Sequence, residues 1–172
     1  EDTASADEIR TRLKDGGKVT GTNLCMMTCA NIIACVGLNA GSMVTCIGAM
    51  LLEPLLGTIL LISSCMVTAD KQGIKTSSLG VLFQIAACLI ASTLYFIITP
   101  VREPTEEMLA FAQPTMFDVI VAFVGGIAGI IGQTRKDKLY VTRAGVAIAT
   151  ALMLPLCTCG YAIAHLDERM IV

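Results

Sequence analysis

The sequence predicts an all-α fold, a polytopic helical membrane protein with five spans, and three observations lead to that prediction. The mean hydropathy is +0.75, and 55% of the residues are hydrophobic. Charged residues make up 15% of the chain, against about 25% in ordinary soluble domains. The charges are also segregated, since Glu53 is the only one between Thr20 and Ala69 and none occurs between Thr76 and Pro100. A soluble chain needs charged groups over its whole surface, so these runs argue against one.

Each predicted span is an apolar run close to or above the length of about 20 residues that crosses a bilayer as a helix. Before the spans, residues 1–22 form a polar cytoplasmic segment, in which Ser5 and Glu8 have the spacing of a capping box that opens a short amphipathic helix. After them, residues 166–172 form a polar tail, and we expect a further span beyond the end of the chain. We predict a transmembrane domain at 23–165, with spans at 24–40, 43–69, 79–98, 116–132 and 144–164.

The predicted orientation rests on lysine and arginine, which are enriched in cytoplasmic loops. With the N-terminus inside, ten of these residues fall on the cytoplasmic side, in the N-terminal segment, in a polar loop at 70–78 and in a basic loop at 135–143. Two, Arg102 and Arg169, fall outside. The sequence therefore predicts a cytoplasmic N-terminus.

The second span contains the first candidate site, Glu53 followed by Pro54. An ionisable side chain inside a membrane segment costs roughly 3 kcal/mol on insertion scales, so it usually faces a cavity or a partner. Proline removes a backbone N–H and crowds the carbonyl one turn earlier, which breaks or kinks a helix. Glu53 and Pro54 are therefore expected to form an ion- or substrate-binding site at a broken helix. The alternative is a protonated Glu53 that hydrogen-bonds to a carbonyl freed by Pro54.

The fifth span repeats part of this pattern. The stretch from Gly48 to Gly57 reads GAMLLEPLLG, and the stretch from Ala149 to Thr158 reads ATALMLPLCT, with Pro155 in the place of Pro54. If the repeat unit is three spans, the two units cross the membrane in opposite senses. Inverted repeats with broken helices at matching positions are the best sequence indication of a transporter site near the midplane. We therefore predict that the second and fifth spans are both interrupted and approach one another.

Other polar or small residues within the spans have a second explanation each. Asp118 and Asn39 are candidate site residues, although an acid at a helix N-terminus is favourable in itself. Asn31, Asn39, Gln84 and Thr150 could line a polar path, although interhelical hydrogen bonds account for each of them. Gly125 and Gly129 form a face on which helices pack closely, also between copies in a homo-oligomer, and the alternative is that they line a conduit.

Several function classes find no support in the residues. All eight cysteines lie in apolar segments, where free cysteine packs as a small hydrophobe. His165 is the only histidine and lies at the predicted membrane edge, so neither a metal site nor a catalytic triad can be assembled. No phosphate-binding loop is present, and a net charge of −2 carries no indication of a nucleic-acid partner. We expect a protein that is not an enzyme and that has no cofactor, no metal and no nucleic-acid partner.

Three stretches resemble a known family: Ile47–Gly57 (IGAMLLEPLLG), Gln113–Ala122 (QPTMFDVIVA) and Ala144–Leu156 (AGVAIATALMLPL). They occur in the order seen in a prokaryotic family of hydrophobic membrane proteins, domain of unknown function 389. The resemblance covers most of residues 24–164. It implies a prokaryotic cytoplasmic (inner) membrane protein, often preceded by a soluble domain and followed by one more span, and it implies no particular reaction.

Two functions from different classes fit these observations. The first is a transporter or channel for an ion or small solute, with its site at the broken helices. The second is a structural or regulatory membrane module that oligomerises through its glycine faces and is coupled to a soluble domain. A polar, water-accessible Glu53 favours the first function, and a dry, tightly packed Glu53 favours the second.

Overall fold

The computed structural model describes residues 5–17, 19–52, 55–99, 104–113, 115–134 and 139–165, and this part of the chain is helical without strands. The all-α prediction is therefore confirmed. The helices are α1 (Ala6–Gly16), α2 (Gly21–Asn39), α3 (Met43–Met50), α4 (Leu55–Val67), α5 (Lys71–Ile98), α6 (Glu106–Ala112), α7 (Met116–Thr134) and α8 (Leu139–His165).

The helix boundaries at the start of the chain follow the polar signals in the sequence. The Ser5 side chain accepts a hydrogen bond from the Glu8 amide, as an N-cap does. α1 ends at Gly16, with Gly17 as its C-cap, and Gly17 lies so close to Leu61 that a larger residue would collide with α4. α2 and α3 are joined through Gly41, whose φ of +61° suits glycine. The predicted short helix is present.

The third apolar segment is longer than predicted. α5 begins at Lys71, so most of the predicted polar loop at 70–78 is helical. Asp70 acts as the N-cap, and its side chain accepts a hydrogen bond from the Gly73 amide at 3.0 Å. The helix is thus extended by two polar turns because an aspartate cap starts it earlier, and the membrane bounds 79–98 stay a prediction.

The second apolar segment is divided into two helices. α3 ends at Met50, and α4 begins at Leu55. Leu51 and Leu52 between them are in a turn conformation, while Glu53 and Pro54 lie outside the described residues. The prediction of an interruption in this segment is confirmed at the level of the two flanking helices.

The fifth apolar segment is continuous, which contradicts the predicted break. α8 runs from Leu139 to His165 with Pro155 inside it. The hydroxyl of Thr158 donates a hydrogen bond of 2.8 Å to the carbonyl oxygen of Pro155. A proline inside a helix costs one backbone hydrogen bond, but neighbouring helices can hold such a helix straight. α8 has these neighbours, because it contacts α2, α3, α4, α5, α6 and α7.

The core lies around the second half of α8, and the surface is largely apolar. The main buried cluster combines residues of α2, α3, α5, α6 and α8. Large apolar side chains stand fully open on several helices, as Val67 (88% exposed), Ile98 (81%) and Phe117 (76%) illustrate. Polar side chains such as Asn31 and Gln84 are buried instead. Apolar surface on this scale marks a surface that is covered by lipid or by protein.

Within the described residues, two helices are long and apolar enough to cross a membrane, α2 and α5. A third candidate is formed by α6 together with Met116–Ile131 of α7, which meet at a bend of 80°. Gly57–Val67 and Leu152–His165 are apolar but shorter. These lengths and compositions are compatible with a membrane protein.

Candidate functional site

The end of α3 meets α8 beside Pro155. Ala49 and Met50, the last residues of α3, share one buried cluster with Met153 and Leu154, which immediately precede the proline. α4 also contacts α8. The second and fifth apolar segments therefore approach one another, as predicted, although only the second is divided.

Asn31 on α2 ties three helices together at this height. Its side-chain nitrogen donates to the carbonyl of Cys88 at 3.0 Å and to the hydroxyl of Ser92 at 2.8 Å, both on α5. Its side-chain oxygen lies 3.1 Å from the thiol of Cys157 on α8, which donates to it. Asn31 is fully buried, and both donors and the acceptor of its carboxamide are used. Its role in the resting protein is to fix α2, α5 and α8 relative to one another.

Gln84 lies on the same buried face of α5 and differs from Asn31 in one respect. The side chain is 1% exposed, and its oxygen Oε1 is the one buried side-chain oxygen or nitrogen in the described part of the chain that lacks a hydrogen-bond partner. Leaving a buried polar group unpaired costs about 1–3 kcal/mol. Such a group in a native protein calls for an explanation.

Gln84 lies at the height where α4 begins. α4 and α5 run in opposite directions, and Leu61 and Ser77 line one groove between them. From Ser77 to Gln84 a helix rises by about 10 Å, and from Leu61 back to Leu55 by about 9 Å. Counted along the two helices, Gln84 is therefore at about the height of the first turn of α4, whose leading N–H groups have no partner within their own helix.

The segment of α8 before Pro155 reaches the same height. Gly160 is packed against the backbone and side chain of Ser92, which lies about 12 Å above Gln84 along α5. The same distance back along α8 from Gly160, which is eight residues, leads to Leu152, one turn before Pro155. Pro155 has no N–H for the carbonyl four residues earlier. The start of α4, Gln84 and the Leu152–Pro155 turn thus form one layer, which we call the middle layer.

Comparisons with known proteins agree with the sequence motifs. Residues 50–172 match the family described as domain of unknown function (DUF389). The chain belongs to this family. It is also 25% identical over 158 residues to an uncharacterized protein of Methanocaldococcus jannaschii, a match that covers 90% of this chain and 48% of the relative. The chain thus spans about half the length of that relative. No solved structure matches it.

The predicted site residues of this DUF389 chain are not all brought together. Glu53 and Pro54 lie outside the described residues, although Leu55 next to them belongs to the middle layer. Pro155 is half-buried in the same layer. Asn39 lies at one end of the bundle, where its side-chain nitrogen donates a hydrogen bond of 3.4 Å to the hydroxyl of Tyr95.

Asp118 is also outside the middle layer, because its hydrogen bonds are with Thr115. It stands exposed in the first turn of α7, and its Oδ2 accepts hydrogen bonds from the Thr115 amide at 2.7 Å and the Thr115 hydroxyl at 2.9 Å. These bonds close the loop that leads into the helix, which matches the expected capping role. Thr150, which was predicted to line a polar path or to form an interhelical hydrogen bond, has a side chain that is not among those the structure describes.

For Gln84 the sequence leaves both a polar path and an interhelical hydrogen bond open, and it does not single out Ser92. The spacing of Gln84, Cys88 and Ser92 was the available signal, because residues four apart share a helix face. In the part of the DUF389 chain that the structure describes, no group of three or more histidine, cysteine, aspartate or glutamate side chains is placed to hold a metal ion.

Proposed function

We propose that this chain is an integral protein of the prokaryotic inner membrane that moves an ion or small solute through a site in the middle layer. The observation that carries the proposal is the buried, unpaired Oε1 of Gln84 at the height of the α3–α4 division. A transported particle is the partner that such an oxygen lacks in the resting protein. Glu53, two residues before α4, then supplies the charge of the site.

The distribution of polarity supports a membrane location. Large apolar side chains cover much of the outside of the described helices, and the polar side chains that are buried carry carboxamides or hydroxyls: Asn31, Thr58, Ser77, Gln84, Ser92 and Thr158. A lipid surface makes the first arrangement favourable, and the absence of water requires the second to be hydrogen-bonded. Asn31 satisfies that requirement and Gln84 does not.

The helix contacts support alternating directions for the first three segments, and the lysine and arginine count supports a cytoplasmic N-terminus. At one end of the bundle, Asn39 bonds to Tyr95 and Thr105 donates to the carbonyl of Leu38, so the ends of α2 and α5 lie beside α6. At the other end, α1 packs on α4 and Val19 lies beside Gly80. These contacts give α2 and α5 the same direction, which five passes require when α3 and α4 count as one.

Thiol labelling tests this topology. Single cysteines are placed at Lys71, Glu106 and Lys136 in a chain whose native cysteines have been replaced, and a membrane-impermeant reagent is applied to intact cells. We expect Glu106→Cys alone to react, because its loop is outside. Reaction of all three positions from the same side would contradict the five-span topology.

The inverted repeat is part of the proposal, with the two units used differently. α3 and α4 provide a divided helix, and α8 provides a continuous helix with one carbonyl that its own proline does not bond. In known transporters, half-helix ends and freed backbone groups contact the substrate and the coupling ion. The contact of α3 and α4 with α8 supports the same use here.

The decisive experiment measures flux through the purified chain in liposomes. Vesicles carry a pH-sensitive dye, and gradients of H⁺, Na⁺ or K⁺ are imposed in turn. Glu53→Gln keeps the side-chain shape but cannot change its charge, so we expect it to abolish coupled flux while the protein remains folded. Unaltered flux in Glu53→Gln would show that Glu53 is not part of a carrier.

Gln84→Leu is the matched test for the part of the proposed site that the structure describes. The substitution removes an oxygen that has no partner, so we expect no loss of thermal stability in detergent and at least a tenfold loss of flux. Asn31 offers the contrast, because Asn31→Leu is expected to lower stability. Loss of stability in Gln84→Leu with full flux would contradict the proposed role.

The alternative, a structural module that oligomerises through glycine faces, receives less support. Gly125 and Gly129 are both buried, and α7 packs on α8 of the same chain. A homo-oligomer would need another surface. Cross-linking of the chain in membranes would reveal one.

A further inference from the structure

A cavity of about 370 Å³ lies between the end of α1 and the hairpin that α4 and α5 form. Of the eight described residues that line it, five carry polar side chains: Lys14, Asp70, Gln72, Thr76 and Ser77. Lys14 and Asp70 are exposed, so the cavity is open on their side. Its volume is enough for several water molecules. The proposed topology places this end of the bundle in the cytoplasm.

α5 carries a polar face from this cavity toward the middle layer. Gly73 and Ser77 line the cavity, and Gln84 lies seven residues beyond Ser77, which is two turns along the same face. The side chain of Ser77 is 7% exposed and that of Gln84 is 1% exposed. From the cavity to the residue with the unpaired oxygen, this face rises by about 10 Å.

α4 presents a matching face on the other side of the cavity. Leu61 and Cys65 line the cavity, and Thr58, three residues before Leu61, continues the same face. Thr58 is 1% exposed. Counted along the helix, it lies about 4.5 Å beyond Leu61, which is between the heights of Ser77 and Gln84. Two buried hydroxyls and one carboxamide therefore follow one another from the cavity to the middle layer.

The seam between these two faces is closely packed. The sulfur of Cys65 lies 2.7 Å from the position that a Cβ on Gly73 would take, so α4 and α5 touch beside the cavity. A solute would have to force the two helices apart. A proton would not, because it passes along hydrogen bonds, and a hydroxyl both donates and accepts them.

We propose that the cavity is the cytoplasmic entrance of a proton path that leads along Ser77 and Thr58 to Gln84. The inference rests on the proposed function, and it names the transported particle and the side of entry. The axial gaps between these groups are about 5 Å, which one water molecule bridges with two hydrogen bonds. Each hydroxyl or water accepts one proton as it gives up another, so none of them changes its charge. Glu53 of the proposed site receives the proton, and its carboxylate becomes a neutral acid.

Lys14 is the cation at this entrance. It is exposed in the last turn of α1, and it lines the cavity opposite Asp70 of the α4–α5 hairpin. A charge at the mouth of a cleft changes the local concentration of ions of each sign. Arg10, one turn earlier on α1, is also exposed but is not among the residues that line the cavity. It is therefore the matched control for Lys14.

The first test measures proton flux in liposomes that carry a pH-sensitive dye. Thr58→Val and Ser77→Ala each remove one buried hydroxyl of the seam, and we expect each to lower proton flux at least tenfold. Ser63→Ala is the control, because its hydroxyl is exposed on α4 and donates to the carbonyl of Ile59 in its own helix. That variant should keep the flux of the wild type. Full proton flux in both seam variants would overturn the proposed path.

A second measurement leaves the seam unchanged and so covers variants that fail to fold. The wild-type chain in inside-out vesicles is treated with a membrane-impermeant methanethiosulfonate, and mass spectrometry follows the modification of each cysteine. We expect Cys65, which lines the cavity, to react at least tenfold faster than Cys88, which is fully buried on α5. Modification of Cys65 should also reduce proton flux. Equal protection of the two thiols would overturn the entrance.

The same reaction tests the charge at the entrance. We compare the rates at which an anionic and a cationic methanethiosulfonate modify Cys65. Lys14→Glu should shift the ratio of these rates at least threefold toward the cationic reagent, and Arg10→Glu should leave it close to that of the wild type. The same shift in both variants, or in neither, would contradict the role given to Lys14.

The flux measurements separate a failure of this path from a failure of the proposed function. If wild-type protein carries no ion or solute, the proposed function fails and the path fails with it. If it carries Na⁺ or K⁺ but no H⁺, transport stands and the proton path is wrong. If proton flux persists in Thr58→Val and Ser77→Ala, transport stands and its route lies elsewhere in the protein.

Discussion

The second and fifth apolar segments share a sequence pattern but differ in structure. Pro54 and Pro155 follow similar runs of small and aliphatic residues. The second segment is divided into α3 and α4, whereas α8 continues through its proline. The contrast lies in the surroundings: Leu51 and Leu52 before Pro54 are about half exposed, while Met153 and Leu154 before Pro155 are fully buried.

This difference shows that a proline does not decide by itself whether a helix breaks. It removes one hydrogen bond in either segment. In α8 the helix contacts six other helices, and the Thr158 hydroxyl donates a hydrogen bond to the carbonyl of Pro155. A divided segment, α3 with α4, thus contacts a continuous helix, α8.

The largest expected loss of stability comes from a substitution that forces α8 and α5 apart. Gly160→Ala places a methyl group against the Ser92 side chain and 3.1 Å from the Thr93 amide nitrogen. Backbone cannot yield as a side chain does, so we expect a loss of about 3 kcal/mol, the upper part of the range for overpacked cores. Thermal melting of the purified protein in detergent measures it.

Gly48 on α3 is the matched control for Gly160. An added Cβ there meets nothing within 4 Å, and alanine favours a helix over glycine by about 1 kcal/mol. Gly48→Ala should therefore leave the melting temperature unchanged or raise it. Equal destabilisation by both substitutions would mean that α3 is as tightly confined as α8, and the comparison between the segments would fail.

The next effect concerns the hydrogen bonds that hold α8 at the height of its proline. Asn31→Leu leaves the Ser92 hydroxyl and the Cys157 thiol without their partner in a dry interior. We expect a loss of about 2 kcal/mol, within the usual range for buried polar groups left unpaired. Asn39→Leu at the end of the bundle removes a longer bond from a partly exposed position and should lose much less. If Asn39→Leu lost more stability than Asn31→Leu, the hydrogen bonds at the end of the bundle would matter more than those at the middle of α8.

Much of the fold could be predicted from the sequence, because apolar runs and caps are local signals. Ser5 caps α1 as expected, and the apolar runs are helical, the second of them as α3 and α4. The sequence does not predict the extension of α5, because Asp70 lies in a polar run that is typical of a loop. The continuity of α8 and the unpaired oxygen of Gln84 could not be predicted. Both depend on which neighbours tertiary packing brings to a position, and no local pattern encodes that.

A smaller effect, of opposite sign, is expected when the proline of α8 is removed. Pro155→Ala restores a backbone N–H and a helix-favouring residue in a helix that is already continuous. We expect a gain of about 1 kcal/mol, smaller than the intrinsic penalty of roughly 3 kcal/mol for a helical proline because the surrounding helices have adapted to it. A rise in melting temperature checks this. A fall would indicate that Pro155 shapes α8 in a way that its neighbours require.

The smallest effect tests the hydrogen bond at the proline itself. Thr158 is 1% exposed, and its hydroxyl donates to the Pro155 carbonyl at 2.8 Å. Thr158→Val keeps the branched shape and removes the donor, so we expect a loss of about 0.5–1 kcal/mol, the net contribution of one ordinary hydrogen bond. In the Pro155→Ala background the same substitution should have less effect if the hydroxyl compensates for the proline. Thermal melting of the two single variants and the double variant measures this coupling. Strict additivity would show that Thr158 stabilises α8 independently of Pro155, and the continuity of α8 would then rest on the surrounding helices alone.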